Sequence, residues 1–305
     1  MYGGTRCGPA IVAAMLSALL TSGACAQRES ADTRPGWGAV ERALGRPGAA
    51  QAYDVIRFSF PRSDLRVTVD GVQIRPALAL GSWIAFRHAG DGAIAMGDLV
   101  LTEDEAAPVM TRLQRGGVMQ TALHNHLLRE TPRVVYMHVE AQGDPVRIAE
   151  TVRAALALTH TPLDPPAPAP AAAAIGLDTT AVARALGFPG RANGGVYQVS
   201  VPRADPVRDR GHLVTPAMGV ATAINFQPTG AGRAAIAGDF VMTAGEVNPV
   251  VRALRDNGIE VTALHSHMLG EEPRLYFMHF WANDDAVKLA RGLRAALSHM
   301  AVRRP

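Results

Sequence analysis

Three histidines at a fixed spacing occur twice in this 305-residue chain. His124-x-His126 is followed by Glu130 and His138; at an offset of 141 residues, His265-x-His267 is followed by Glu271 and His279. A neutral imidazole is a good ligand for zinc, copper, iron or nickel. Three of them leave a coordination position open for water or substrate, as a catalytic zinc site requires. A nearby glutamate then serves as a fourth ligand, an orienting partner or a general base. The pattern predicts a transition-metal site in each repeat, with His124, His126 and His138 as ligands in one and His265, His267 and His279 in the other. Glu130 and Glu271 are the candidate catalytic groups. Zinc is the first choice of ion, with copper or iron as alternatives. Asp98 and Asp239, each after a glycine, are candidates for partners behind the ligands. A single histidine on a strand is more often a packing residue, but a whole triplet kept twice weighs for chemistry.

Strands and a turn must bring these residues together. Residues two apart on a strand share a face. If Gln120–Leu127 and Arg133–Ala141 are strands around a turn near Thr131-Pro132, His124 and His126 point the same way. His126 then falls opposite His138, with Cβ atoms about 5 Å apart. Met137 and Met278 point to the other face, towards the helices, and read as core. Arg133 and Arg274, beside the turn proline, read as surface partners of Glu130 and Glu271. Upstream, Thr102-x-x-Glu105 and Thr243-x-x-Glu246 are capping boxes that open a helix. Gly116-Gly117 and Asn257-Gly258 end it. Asp144-Pro145 caps a last helix over Pro145–Leu158. The second half of each unit is thus β-α-β-β-α. This predicts an α+β fold in two tandem copies, each an antiparallel sheet with helices on one face, like a ferredoxin-type plait.

The copies span residues 36–160 and 177–303, each large enough for its own core. The Pro/Ala-rich stretch between them, residues 161–176, reads as a semi-rigid spacer. Residues 1–26 read as a secretory signal peptide: Arg6, a short apolar run from Ala10 to Leu20, and Ala24-Cys25-Ala26 with cleavage after Ala26. Lipidation at Cys25 is the weaker reading, because Ser22 stands where a lipobox has leucine. The expected location is therefore periplasmic or otherwise outside the cytoplasm. Both cysteines, Cys7 and Cys25, lie in the leader, so nitrogen and oxygen donors must hold any metal in the mature chain.

Composition narrows the field further. The chain is 48% apolar and 19% charged with a formal net charge of +3, which fits a globular protein. Lys288 is the sole lysine and the arginines are dispersed among acids, so nucleic acid is not an expected partner. No apolar stretch of the mature chain reaches membrane-spanning length. A Gly-x-Ser-x-Gly elbow, a P-loop and a His-Glu-x-x-His helix are all absent.

The segments TALHNHLLRETPRVVYMH and TALHSHMLGEEPRLYFMHFWA, followed by a Leu-Arg-Ala-Ala-Leu helix, resemble the LppY/LpqO-type family of exported bacterial proteins. The resemblance covers nearly all of the mature chain and implies an envelope location and a duplicated domain. It implies no catalytic residues. Two functional expectations follow: a metal-binding envelope protein capable of metal-assisted hydrolysis, or a metal-free module gripping a small anionic ligand or an envelope partner.

Overall fold

The central strands of this protein are buried on both faces. The structure, a computed structural model, describes residues 1, 3, 4, 36–164 and 175–305. The expected signal peptide and most of the Pro/Ala spacer lie outside the described residues.

The first copy comprises α1 (Gly38–Leu44), β1 (Ala49–Gln51), β2 (Val55–Pro61), β3 (Thr68–Val69), β4 (Val72–Gln73), α2 (Pro76–Ala79), β5 (Gly81–Ala89), β6 (Gly92–Thr102), α3 (Glu103–Arg115), β7 (Met119–His124), β8 (Val134–Gly143) and α4 (Pro145–Leu156). The second copy repeats the order with α5 (Thr179–Leu186), β9 (Arg191–Asn193), β10 (Val196–Pro202), β11 (Val207–Asp209) and β12 (His212–Val214). A 3-10 turn, Pro216–Met218, replaces α2. Then come β13 (Ala221–Gly230), β14 (Arg233–Met242), α6 (Ala244–Asp256), β15 (Glu260–His265), β16 (Glu271–Glu272), β17 (Tyr276–Asp285) and α7 (Ala286–Leu297). Each copy forms a six-stranded sheet, in the orders β1-β2-β5-β6-β8-β7 and β9-β10-β13-β14-β17-β15. Every pairing in these sheets is antiparallel. Because β8 lies between β6 and β7, the unit β6-α3-β7 is a split β-α-β, as in the ferredoxin-type plait.

Both capping boxes form, at Thr102/Glu105 and Thr243/Glu246. Asp144 accepts from the amides of Val146 and Arg147 to start α4. The capping glutamates also anchor buried arginines: Arg62–Glu105 and Arg203–Glu246 each span 2.7 Å. Removing one partner of such a pair leaves an uncompensated buried charge, so these bridges tie each helix to its sheet.

Alternation along the strands divides two kinds of core. In β6, Ala95, Leu99 and Leu101 face the helices, whereas Ile94, Met96, Asp98 and Val100 face the other copy. Met137 and Met278 do pack on the helix side, as alternation requires. The opposite faces of the two sheets meet in clusters that mix the copies, such as Val100 and Tyr136 with Ala237 and Trp281, or Met96 and Ala85 with Val241 and Phe277. Trp37–Pro305 is therefore one compact unit with helices outside and the two sheets packed together.

Each copy also reaches across. The arm of copy one, β3-β4-α2, meets the second sheet: the Arg75 amide donates to Gln227 (2.7 Å), and Gln198 and Asn225 donate to the carbonyls of Ala77 (2.7 Å) and Leu78 (3.0 Å). The arm of copy two, β11-β12 and the 3-10 turn, meets the first sheet, where Arg57 donates to the Ala217 carbonyl (2.5 Å) and Arg87 to Leu213 (3.3 Å). Each arm also grips its own histidine-bearing loop, through a mutual Thr68–Thr131 amide–carbonyl pair in copy one and through β11–β16 in copy two.

Candidate metal centre

All six histidines converge on one place between the two sheets. The register differs from the sequence expectation. His138 faces Ala122 and His124 faces Tyr136, because β7 ends at His124 and His126 already lies in the connection to β8. Chain from the other copy holds that connection, with Thr262 Oγ1 donating to the His126 carbonyl at 2.6 Å.

Most ring contacts repeat under exchange of the copies, although only His265 and His267 also bring their Nε2 atoms within 2.9 Å. The rings of His124 and His265, which are each other's repeat equivalents, lie with centroids 3.7 Å apart and planes tilted by 32°. His126 stacks on His279 at 3.7 Å, and the equivalent pair His267 and His138 stacks at 3.6 Å. Tyr136 lies on His126 at 3.2 Å, and Phe277 lies on His267 at 3.5 Å. These aromatics recur two residues before His138 and His279. That repetition is visible in sequence, but an aromatic on a strand reads as core.

Two carboxylates join the ring cluster. Asp98 Oδ2 stands 3.8 Å from His126 Nε2, and its Oδ1 stands 3.8 Å from His138 Nε2. Asp239 Oδ2 stands 3.5 Å from His267 Nε2. Such spacings are too long for hydrogen bonds. They approach the ~3.4 Å that separates two donors on one tetrahedral ion with bonds of about 2.0–2.2 Å. Gly97 and Gly238, just before these aspartates, sit where no side chain fits: a Cβ at Gly97 would stand 2.5 Å from the Trp83 carbonyl, and one at Gly238 2.0 Å from that of Ala223.

Four sets of possible ligand atoms lie within 4.8 Å of one another: His124/His138/His265/His267, His124/His126/His279, Asp98/His126/His138 and Asp239/His267/His279. The last two sets are the same triad at the repeat offset. Among the described residues, buried atoms without a hydrogen-bond partner gather here: both ring nitrogens of His124, Nε2 of His126, His138 and His279, Nδ1 of His265, and Oδ1 of Asp98 and Asp239. Buried polar atoms are normally paired, so this concentration fits a ligand-binding role. His279 Nδ1 donates to the Gly238 carbonyl at 2.8 Å, which leaves Nε2 as the free lone pair.

Electrostatics point the same way. Burial pushes His124 down to about 4, and burial with the nearby His124 pushes His279 down to about 3. Burial followed by neighbouring imidazoles lowers His126, His138, His265 and His267 as well. Neutral imidazoles are the form that coordinates metal. Burial raises Asp98 to about 7 against the pull of Arg57, and raises Asp239 well above the usual carboxylate range, with Asp98 adding to the effect. A cation between them would reverse both shifts.

Glu130 and Glu271 are not brought into these sets. Each carboxylate folds back onto its own loop: Glu130 Oε1 accepts from the Val134 amide at 3.3 Å, and Glu271 Oε1 accepts from Leu275 at 3.0 Å. Burial raises Glu130 to about 7. The expected arginine partner is present in copy two, where Arg274 Nη1 donates to Glu271 at 3.3 Å. In copy one Arg133 turns to Glu103 instead, at 3.7 Å.

A histidine-centred pair of interlocked α+β repeats is thus the class that fold and site define. Residues 38–158 and 180–299 each match the family described as Domain of Unknown Function (DUF1259), and the chain belongs to that family. No curated protein matches it. Two solved structures are similar over much of their length. One is a trimeric bacterial microcompartment shell protein, PduB, at 14% identity over 84% of this chain and 95% of that one, with a TM-score of 0.23. The other is EtuB from Clostridium kluyveri, at 11% identity over 82% and 90%, with a TM-score of 0.19. Scores this low carry nothing over to the present site.

Proposed function

We propose that this chain is an exported metalloprotein whose centre is assembled jointly by both copies. The reading rests on one observation, the gathering of unpartnered, buried imidazole and carboxylate atoms from both sheets at ligand spacing. Asp98, His126 and His138 would hold one ion and Asp239, His267 and His279 a second, with His124 and His265 close beside them. Zinc is the first candidate, because neutral imidazole and carboxylate donors with an open position suit it; copper and iron suit the same donors. Such an ion lowers the pKa of a bound water and so supplies metal-assisted hydrolysis. Asp98 and Asp239 would serve as the carboxylate ligands, while Glu130 and Glu271 set the course of the loops that carry His126 and His267. An anion-gripping, metal-free site fits less well, since burial keeps the imidazoles uncharged. The leader-like first 26 residues and the LppY/LpqO-type resemblance support the envelope location.

Elemental analysis of residues 27–305, purified without a histidine tag or chelator, tests the reading. About two equivalents of one transition metal are expected, falling when His138 and His279 are replaced by Gln. Metal-free protein that also takes up no zinc, copper or iron would overturn it.

A further inference from the structure

A small cavity adjoins the histidine cluster. It measures about 10 Å³, room for roughly one water or one ion, and His138 and His267 form part of its wall. Trp83, Met96, Met218 and Met268 also line it. The three methionines come from three elements: β6, the 3-10 turn of the second arm, and the loop after β15. All three are buried, at 8%, 2% and 1% exposure. Their repeat equivalents at the opposite side of the cluster are Ala237, Leu78 and Leu127, and the equivalent of Trp83 is Ala223. The thioethers are thus gathered on one side of a centre whose histidines are equal on both.

The Trp83 ring is fixed in place. Arg57 lies over it with the guanidinium carbon 3.7 Å from the ring centroid, and a Cβ at Gly219 would stand 3.2 Å from the indole edge. Gly219 has a φ of +99°, which glycine alone adopts readily, so the 3-10 turn can bring Met218 against this wall.

Thioethers are weak partners for hard dications and good ones for soft monovalent ions. We propose that this cavity is a binding site for a soft monovalent metal ion, copper(I) being the chemical class, with Met96, Met218 and Met268 as its thioether donors. It adjoins the metal centre at His138 and His267, which form part of the cavity wall and are kept as ligands of the dications. The thioether set stands independently, on the one-sided gathering of methionine.

The test uses the whole mature chain titrated anaerobically with copper(I), and in parallel with silver(I), which has the same charge and softness without redox chemistry. Binding beside the indole quenches Trp83 emission. The expected result is quenching that saturates near one equivalent and disappears in Trp83→Phe, which retains Trp37 and Trp281. In Met96→Leu/Met218→Leu/Met268→Leu, a volume-conserving change, affinity for silver(I) should fall by about tenfold or more while zinc content stays at the wild-type level. If the triple variant does not fold, Met268→Leu alone is titrated, and a weaker fall in the same direction is expected. Wild-type silver(I) affinity in the methionine variants, or quenching that survives Trp83→Phe, overturns the proposal. Loss of zinc uptake with the silver(I) response intact overturns the zinc centre instead, so the two failures are distinguishable.

Discussion

The two arm tips occupy equivalent places in the two copies and use opposite chemistry. In copy one the tip residue is Asp70, which pairs with Arg129 at 2.9 Å and accepts from the indole of Trp281 at 3.0 Å. Arg129 in turn reaches Glu260 at 2.6 Å. In copy two the equivalent tip is Arg210, which faces Glu140 at 3.7 Å and the sulfur of Met119 at 3.6 Å. Trp281 and Glu140 are repeat equivalents, as are Glu260 and Met119. The polarity of the latch has been inverted while its position was kept. A few residues away, the six histidines and two aspartates are the same in both copies. A latch needs only complementarity, which many residue pairs supply. Eight donor groups around a shared point need particular lone pairs, and few substitutions supply those.

Mutations should separate the two regions. The largest effect is expected from His138→Gln with His279→Gln, which should abolish most metal uptake, whereas Asp70→Asn or Arg210→Gln should leave it intact by elemental analysis. Asp98→Asn comes next. The Asp98 carboxyl is held near 7 against an ordinary value of 3.8. Its contribution to folding is present below the unfolded value and lost as pH rises through about 7. The metal-free Asn variant should therefore be more stable than wild type at pH 8, by up to about 4 kcal/mol in urea unfolding, while losing metal affinity. His279→Gln probes the opposite sign. With its folded pKa near 3, His279 contributes stability above about 6.5 that is lost as pH falls towards 3. The metal-free variant should show a shallower acid limb, by about 1.4 kcal/mol per pH unit across that window. Smallest is the latch itself: Asp70→Asn removes an exposed ion pair and should lower the thermal midpoint by only about 1–2 °C.

Local chemistry made much of this legible. Capping boxes, the Asp144-Pro145 start and strand alternation gave the helices and the split β-α-β, because each is decided within a few residues. The histidines were legible as a set by repetition. Their arrangement was not: the sequence left open whether two sites stand apart or share one place, and in the structure rings from the two copies pack against one another. Strands β6 and β14 hide the reason, since both faces are buried and small residues such as Ala95 and Ala237 suit either side. His126 was placed on a strand, yet the chain leaves the sheet one residue earlier, and only the register against β8 reveals it. The arm of copy one did carry a signal. Asp70-Gly71, with φ of 48° and 79°, sits between Thr68-Val69 and Val72-Gln73 as a two-residue hairpin loop. Its docking on the other copy is a long-range fact that no local pattern encodes. The position of the glutamates was equally open from sequence: a carboxylate four residues from a histidine is also well placed to accept the amide four residues on, as Glu130 and Glu271 do.

Fusing the copies into one chain has an evolutionary consequence. Two identical subunits would receive every substitution twice, so any change that helped one side of the shared centre would be imposed on the other. Here the gene is free to break the symmetry it inherited. A wall of three thioethers and an indole can arise on one side while alanine and leucine remain on the other, and an aspartate at one arm tip can be answered by an arginine at its counterpart. Linkage also fixes the local concentration of each half around the other, so the centre can assemble at any cellular abundance.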